Sequence, residues 1–389
     1  VSHPFADAKT VALGLIRPIV EGRTVILTGS AARSALMASF IAEAGALPTR
    51  VDLRVSLPEA RSRFAAYDRL IEHPTQEIRQ LVDSLDPAGT ALVYAGSFTS
   101  ARQFCGRQII GNRSIKSMEA ERKDVQRELL ALPGAIVSLV DGLGLHCGAP
   151  TVVQGVPDRG VAMATSHTYL IPDGASRGAI DELVTKLSQD CSRVVVSPFN
   201  AGLPCTFYGI VTETTVIDFG PVEALVSWDP QDWRIHAPGI LRPAMLDRSM
   251  AESARYVVHN VVRLLRDRVG YVGAFGVDGT VTLAGYIIHE VNPRVCAGFA
   301  LLDQLCPAIA PFAAFDLVLR EVPDASGPLK DSLERAAAMI ASNTAFLCRL
   351  WENPAYPPPT IGSDVDTWMR QVRAAAAGNH VPLTELKEA

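Results

Sequence analysis

The chain is 389 residues long, too long for one ordinary hydrophobic core, so two or three lobes are expected. Hydrophobic residues at 48% and charged residues at 20% describe a soluble globular protein, with no compositional reason for disorder. A formal net charge of -5 without a Lys/Arg cluster argues against nucleic acid, and the lack of an uncharged apolar run of about 18 residues argues against a membrane span. The seven cysteines (Cys105, Cys147, Cys191, Cys205, Cys296, Cys306 and Cys348) are scattered without CxxC spacing, so neither a disulfide framework nor a zinc site is expected. The opening Val1-Ser-His-Pro-Phe5 has neither the basic start nor the apolar core of a signal peptide, which makes a reducing cytoplasm the expected location.

Short β-rich runs alternate with helical patterns up to about residue 110. Thr24–Thr28 reads as a buried strand, Ala31–Ala44 as a helix, Thr49–Leu57 as a second strand, Thr75–Leu85 as a helix and Thr90–Ala95 as a third strand. Such alternation implies a parallel sheet covered on both faces. The turn Gly29-Ser-Ala-Ala-Arg33-Ser34 invites comparison with a dinucleotide-binding loop, but it lacks the second and third glycines and no acid closes the second strand. A plain strand-to-helix connection is the expectation there.

A second unit begins near Ile110. The turn Gly111-Asn112 leads to Lys123-Asp-Val-Gln-Arg127-Glu-Leu-Leu130, a helix with an apolar stripe and a charged, solvated face. Thr151-Val-Val-Gln154 reads as a strand entering a polar loop that contains Arg159, Ser166, His167 and Thr168. Val194-Val-Val-Ser197-Pro198-Phe199 reads as an edge strand whose backbone groups next to the proline are left unpaired, followed by a strand over Thr206–Val211. Residues 219–239, with Trp228 and Trp233, read as a polar and aromatic loop region before a helix over Ala251–Arg266.

The most informative segment is Tyr271-Val-Gly-Ala-Phe-Gly-Val-Asp278 followed by Tyr286-Ile-Ile-His-Glu290-Val-Asn292-Pro-Arg294. In an extended strand Glu290, Asn292 and Arg294 point one way and His289, Val291 and Pro293 the other, while a hairpin turning between Gly279 and Gly285 sets Asp278 beside Glu290. Hard oxygen donors that leave coordination positions open suit Mg2+, and the Arg294 guanidinium suits phosphate. Cys296 is expected to be a buried small residue rather than a nucleophile. Helices are expected to about Leu305, over Pro311–Arg320 and over Leu329–Leu350, then a proline-rich break at 353–360 and a last amphipathic helix over Val365–Ala377.

Asp278 with Glu290-x-Asn292-x-Arg294 resembles the catalytic strands of the ATP-grasp superfamily, with motif support over about residues 110 to 310. The resemblance implies an α/β chain with a Rossmann-like domain at 1–110 and a helical C-terminal segment at 311–389. Between them it implies a two-lobed ATP-grasp fold at 111–310, with lobes 111–200 and 201–310, the second carrying the metal strands. It implies ATP and Mg2+ as cofactors, with Asp278, Glu290 and Asn292 as metal ligands, Arg294 and Glu290 as catalytic residues, and Lys123, or Lys116 in its place, against ATP phosphate. Ser197, Pro198 and Phe199 would form the adenine-holding linker. Where the superfamily usually has a strand lysine this chain has Gln154, with His167 and its loop to supply donors; the Val152-Val-Gln154 arrangement is similar to that of the pheganomycin-type peptide ligases.

The implied reaction joins a small carboxylate to an amine through an acylphosphate, with small molecules as partners and a homodimer left open. Two other readings stand beside it. One is a nucleotide-binding or regulatory protein with a degenerate ATP-grasp core; the other is a nicotinamide oxidoreductase that uses the N-terminal sheet.

Overall fold

The computed structural model describes residues 4–28, 34–51, 53, 63–96, 99–139, 149–157, 167–305, 311–343, 345–350, 367, 370–374 and 381–382. The N-terminal unit comprises α1 (Pro4–Val20), β1 (Thr24–Thr28), α2 (Ala35–Glu43), β2 (Leu47–Val51), α3 (Arg63–Glu72), α4 (Gln76–Leu85), β3 (Leu92–Tyr94), β4 (Gln103–Phe104) and β5 (Arg107–Ile110). The strands lie in the order β2-β1-β3-β5-β4, parallel except for the β4–β5 hairpin, as the alternating pattern predicts. Helix α2 starts at Ala35 rather than Ala31 because the Ser34 side chain accepts the Met37 amide as an N-cap. The turn at residues 29–33 lies outside the described residues. The Tyr67 phenol bridges the carboxyl ends of the neighbouring strands β1 and β3, 2.6 Å from Thr28 Oγ1 and donating to the Ala95 carbonyl at 2.9 Å. A dinucleotide would enter a doubly wound sheet at that crevice.

The next unit holds α5 (Ile115–Glu119), α6 (Lys123–Leu129), β6 (Ala135–Ser138), β7 (Thr151–Pro157), β8 (Thr168–Ile171), α7 (Arg177–Leu187) and β9 (Cys191–Pro198). Its strands form an antiparallel sheet, β6-β9-β7-β8, with α7 packing Ile180, Leu183 and Leu187 against Val153, Tyr169, Ile171 and Val194.

The remaining elements are β10 (Leu203–Val211), β11 (Val216–Trp228), β12 (Ile235–Arg242), α8 (Arg248–Val269), β13 (Gly273–Thr282), β14 (Gly285–Asn292), α9 (Phe299–Leu305), α10 (Phe312–Glu321), α11 (Ser326–Ser342), β15 (Leu347–Leu350) and β16 (Val381–Pro382). They build a sheet in the order β14-β13-β10-β11-β12-β15, with β16 added against β11. Residues 219–239, expected as loop, are largely the long strands β11 and β12. The Gly220-Pro221 pair coincides with a register shift against β10, and Gly220 takes φ +83° there. The helix expected to reach Leu350 stops at Ser342, and Leu347–Leu350 pairs with β12 instead. The proline-rich stretch 353–360 lies outside the described residues; of the last helix, residues 370–374 are helical.

Helix α8 covers one face of this sheet, laying Ala254, Val258, Val261, Val262 and Leu265 against Cys205, Phe207, Phe275, Val277 and Val291. On the other face Tyr208, Ile210, Phe219, Val222 and Ala274 join α10, α11 and the parallel-sheet residues Val25, Leu27, Leu92 and Tyr94 in one core. In α1 the four-residue spacing of Ala8, Ala12 and Ile16 puts them on one face, in the same core as Leu329, Leu333 and Ala336 of α11.

Helix α6 reverses the expectation of a solvated charged face. Lys123, Asp124, Gln126 and Arg127 are all buried, because their side chains turn toward the strands of two different sheets. The Gln126 amide donates to the Val291 carbonyl at 2.6 Å and accepts the Val291 amide at 2.9 Å, and Arg127 Nη1 donates to the His289 carbonyl at 3.0 Å. Strand β14 is a sheet edge, so these side chains satisfy backbone groups that no neighbouring strand reaches. Toward the other sheet, Arg127 Nη2 donates to Gln154 on β7 at 3.0 Å, and Asp124 pairs with Arg193 on β9 at 2.8 Å.

Replacing Gln126 with Leu leaves the Val291 amide and carbonyl buried and unpaired. The expected loss of unfolding free energy is about 2–5 kcal/mol, read as a fall in the urea midpoint. A variant indistinguishable from the parent would show that the amide does not seal this edge.

Candidate active site

Strands β13 and β14 pair antiparallel with Asp278 opposite Glu290 and Gly276 opposite Asn292, the register expected from alternation. Asp278 is also opposite Thr206 on β10. Its carboxylate accepts the Thr206 hydroxyl at 2.5 Å on Oδ1 and Asn292 Nδ2 at 2.8 Å on Oδ2. Lys123 Nζ lies 3.2 Å from Glu290 Oε2, which brings the first residue of α6 to the acid pair. Burial, then the Glu290 charge across the pair, pushes the Asp278 carboxyl up to about 6.

One local expectation is corrected here. A register shift in β14 inserts His289 as an extra residue between Ile288, opposite Gly279, and Glu290, opposite Asp278. Its ring therefore does not turn to the face opposite Glu290; His289 Nε2 lies 2.8 Å from Thr280 Oγ1, and Thr280 shares the Asp278 face by alternation. Burial, reinforced by the Arg127 and Lys123 charges, holds this imidazole down at about 4 and so neutral.

Arg294 reaches the site from just beyond β14. Its Nη2 donates to Asn292 Oδ1 at 3.1 Å and its Nε to Glu121 Oε1 at 2.6 Å, while Arg113 Nη2 lies 2.6 Å from Glu121 Oε2. Burial alone would raise the Glu121 carboxyl, but the Arg294 and Arg113 charges hold it below its ordinary value. Burial opposes the Arg294 charge and Glu121 outweighs it, so that guanidinium is raised. Nothing in the linear pattern marks Glu121, Arg113, Thr206 or Gln126 for this site, since each becomes informative only through a partner distant in the chain.

The remaining expected residues fall elsewhere or partly so. Gln154 is buried on β7 and reaches the group only through Arg127. His167 immediately precedes β8, its ring 3.4 Å from Asp190. The expectation of an edge strand with unpaired backbone at Ser197, Pro198 and Phe199 is corrected in part. Strand β9 lies inside its sheet, but at Ser197 and Pro198 only β7 pairs with it, through Val152 and Thr151, while β6 ends opposite Val196; the Phe199 amide donates to the Pro150 carbonyl at 2.9 Å. Lys116 lies within α5, while Arg159 and Ser166 lie outside the described residues.

The donor set fits a hard cation. Two carboxylates face each other in a buried place where one of them resists ionising, and a divalent ion would relieve that repulsion. Asp278 and Glu290 would hold Mg2+, and Asn292 would join them on rotating its amide away from Arg294. A separate cluster, Asp229, Asp232 and His236, has its ligand atoms within 4.8 Å of one another on the β11–β12 hairpin. Its acids are accounted for by the turn, Asp229 accepting the Gln231 amide and Asp232 the Arg234 amide and the Lys186 ammonium.

No protein-family model matches the chain, and no curated protein matches it in sequence. Solved structures do match it in fold. An ADP complex of purK, N5-carboxyaminoimidazole ribonucleotide synthetase, is 12% identical over 92% of this chain and 87% of its own, with a TM-score of 0.50. Carboxyaminoimidazole ribonucleotide synthase from Aspergillus clavatus, complexed with ATP, is 15% identical over 77% of each chain, also at 0.50. The L-amino acid ligase from Bacillus licheniformis is 13% identical over 77% and 75%, again at 0.50. The chain has an ATP-grasp-type fold. Among the described residues, no helix is long and apolar enough to cross a membrane.

The raised Asp278 group gives a pH test. Because its folded pKa of about 6 exceeds the unfolded value, its contribution to stability is present below about pH 4 and lost as pH rises through 6. In Mg2+-free buffer the stability of the parent relative to Asp278→Asn should therefore fall by on the order of 1–3 kcal/mol between pH 4 and 7. Added Mg2+ should restore the melting temperature of the parent at pH 7 and leave that of Asp278→Asn unmoved. A pH-independent difference would contradict the assignment of the raised pKa to this carboxyl.

Proposed function

We propose that the chain is an ATP-dependent ligase that joins a small carboxylate, such as an amino acid, to an amine. The observation that carries this reading is the buried Asp278–Glu290 pair, in register on neighbouring strands of an ATP-grasp-type fold, with Asn292, Arg294 and Lys123 bonded around it. The substrate carboxylate attacks the γ-phosphate of ATP to give an acylphosphate and ADP, and the amine then displaces phosphate. Phosphoryl transfer asks the protein for alignment and charge neutralisation rather than a covalent nucleophile. Mg2+ held by Asp278, Glu290 and Asn292 would supply that neutralisation at the phosphates. Arg294 has the second role. Its guanidinium is fixed on one edge by Glu121 and on the other by Asn292, a pre-set orientation toward a developing negative charge.

The two nucleotide-bound matches bear on the cofactor, and the L-amino acid ligase match bears on the substrate class. A peptide ligase of the pheganomycin type rests on Val152-Val-Gln154 alone. A cytoplasmic setting belongs to the same reading; Cys105, Cys205, Cys296 and Cys348 form no disulfide among the described residues. The second reading, a nucleotide-binding module with a degenerate core, is favoured by one contact. Lys123 occupies Glu290, so that an internal cation already answers the charge a metal would meet.

A carboxylate substrate labelled with 18O decides between them. The ligase reading expects label in inorganic phosphate and one ADP per product, with turnover in Glu290→Gln reduced by about 100-fold or more. Labelled AMP would overturn the acylphosphate route, and absence of nucleotide turnover with every acid and amine pair would favour the binding module.

A further inference from the structure

The cations of this site differ in what they bond. Lys123 is paired with Glu290, and Arg294 and Arg113 both hold Glu121. Arg127 is only 8% exposed, yet its bonds go to two neutral acceptors, the His289 carbonyl and Gln154 Oε1, and no carboxylate among the described residues lies within ion-pair distance. Its Nε is buried without an acceptor. A full charge placed in a protein interior is costly unless an opposite charge meets it, and here the neighbouring acid, Glu290, is already bonded to Lys123. The guanidinium also sits between the two sheets, bonded at once to β7 and to the edge of β14 beside the acid pair.

We propose that Arg127 is an anion-binding residue of this site, that it takes a phosphate oxygen of the bound nucleotide, and that Gln154 serves as its neutral support. The proposal rests on the nucleotide-using reading given above. It assigns to a helix residue the charge that the strand position of Gln154 does not carry. A glutamine there is then a fitting partner rather than a lost donor: its carbonyl oxygen accepts from the guanidinium without neutralising it, which a carboxylate would do. A lysine at 154 beside Arg127 would put two buried cations together.

The test is MgADP binding by titration calorimetry, together with the melting temperature of the nucleotide-free protein, for Arg127→Met, Gln154→Lys and the double variant. Arg127→Met should bind MgADP about 10- to 100-fold more weakly, the worth of one charge-assisted hydrogen bond. Its nucleotide-free melting temperature should stay close to that of the parent, because removal of an uncompensated buried charge offsets the bonds lost at the His289 carbonyl and Gln154. Gln154→Lys alone should melt lower than the parent, and the double variant should regain most of the lost MgADP affinity.

MgADP affinity in Arg127→Met within twofold of the parent would overturn the proposal. So would a nucleotide-free protein that melts well below the parent or does not fold, since the guanidinium would then act as a structural tie alone. If the parent binds MgADP and Asp278→Asn weakens it while Arg127→Met does not, only the role of Arg127 is lost; a parent that binds no MgADP overturns the nucleotide reading itself.

Discussion

The exposed edge of β14 is the constraint on which the site depends. An edge strand presents amides and carbonyls that must be satisfied, and this one carries Glu290 and Asn292, so it cannot be covered by another strand without closing the site. Helix α6 resolves the conflict with side chains. Gln126 imitates a neighbouring strand at Val291, and Arg127 does so at the His289 carbonyl. Because Arg127 and Asp124 reach β7 and β9 at the same time, the helix that seals the edge also fixes the small antiparallel sheet relative to the large one. The position of Lys123 beside Glu290 follows from its place in the same turn of helix.

Charge is distributed so that no acid of the site stands alone, though the means differ. Glu121 is held ionised by two guanidiniums, and so anchors Arg294 whether or not a substrate is present. Asp278 receives only a hydroxyl and an amide, and its burial against Glu290 keeps it reluctant to ionise. A cation arriving between Asp278 and Glu290 gains from that arrangement, whereas one arriving at Glu121 would find the charge already used. The neutral His289 adds a polar group next to Thr280 without adding to the positive field of Lys123 and Arg127.

Features set by strand alternation were legible in the sequence. The facing of Asp278 and Glu290, the shared face of Glu290 and Asn292, and the parallel N-terminal sheet all follow from a period of two or from alternating element types. Features that depend on a distant partner were not. The charged stripe of α6 looks solvated because most such stripes are, and only the unpaired edge of β14 makes a buried glutamine and arginine favourable there. The bulge at His289 breaks the alternation that made its neighbours readable. Likewise, Ser197-Pro198 resembles a strand end because proline usually lies at an edge, yet here β6 covers only residues 193–196 of β9 and leaves the proline beyond it.

The chain that follows β14 is held down by small residues. A Cβ on Gly276 would come 2.7 Å from Cys296 Sγ, and one on Gly298 would run into the Tyr208 ring, so the loop from Arg294 to Gly298 can lie directly on the sheet. This places Cys296 under the Arg294 guanidinium. Burial raises that thiol to about 12, with the nearby acids adding to the shift, and so leaves it a packing residue rather than a nucleophile. Arg294 is thus pinned from below by the loop and from its edges by Glu121 and Asn292. A long side chain confined in this way has lost its rotamer freedom on folding rather than on binding, and a phosphate that meets it need not bear that cost again.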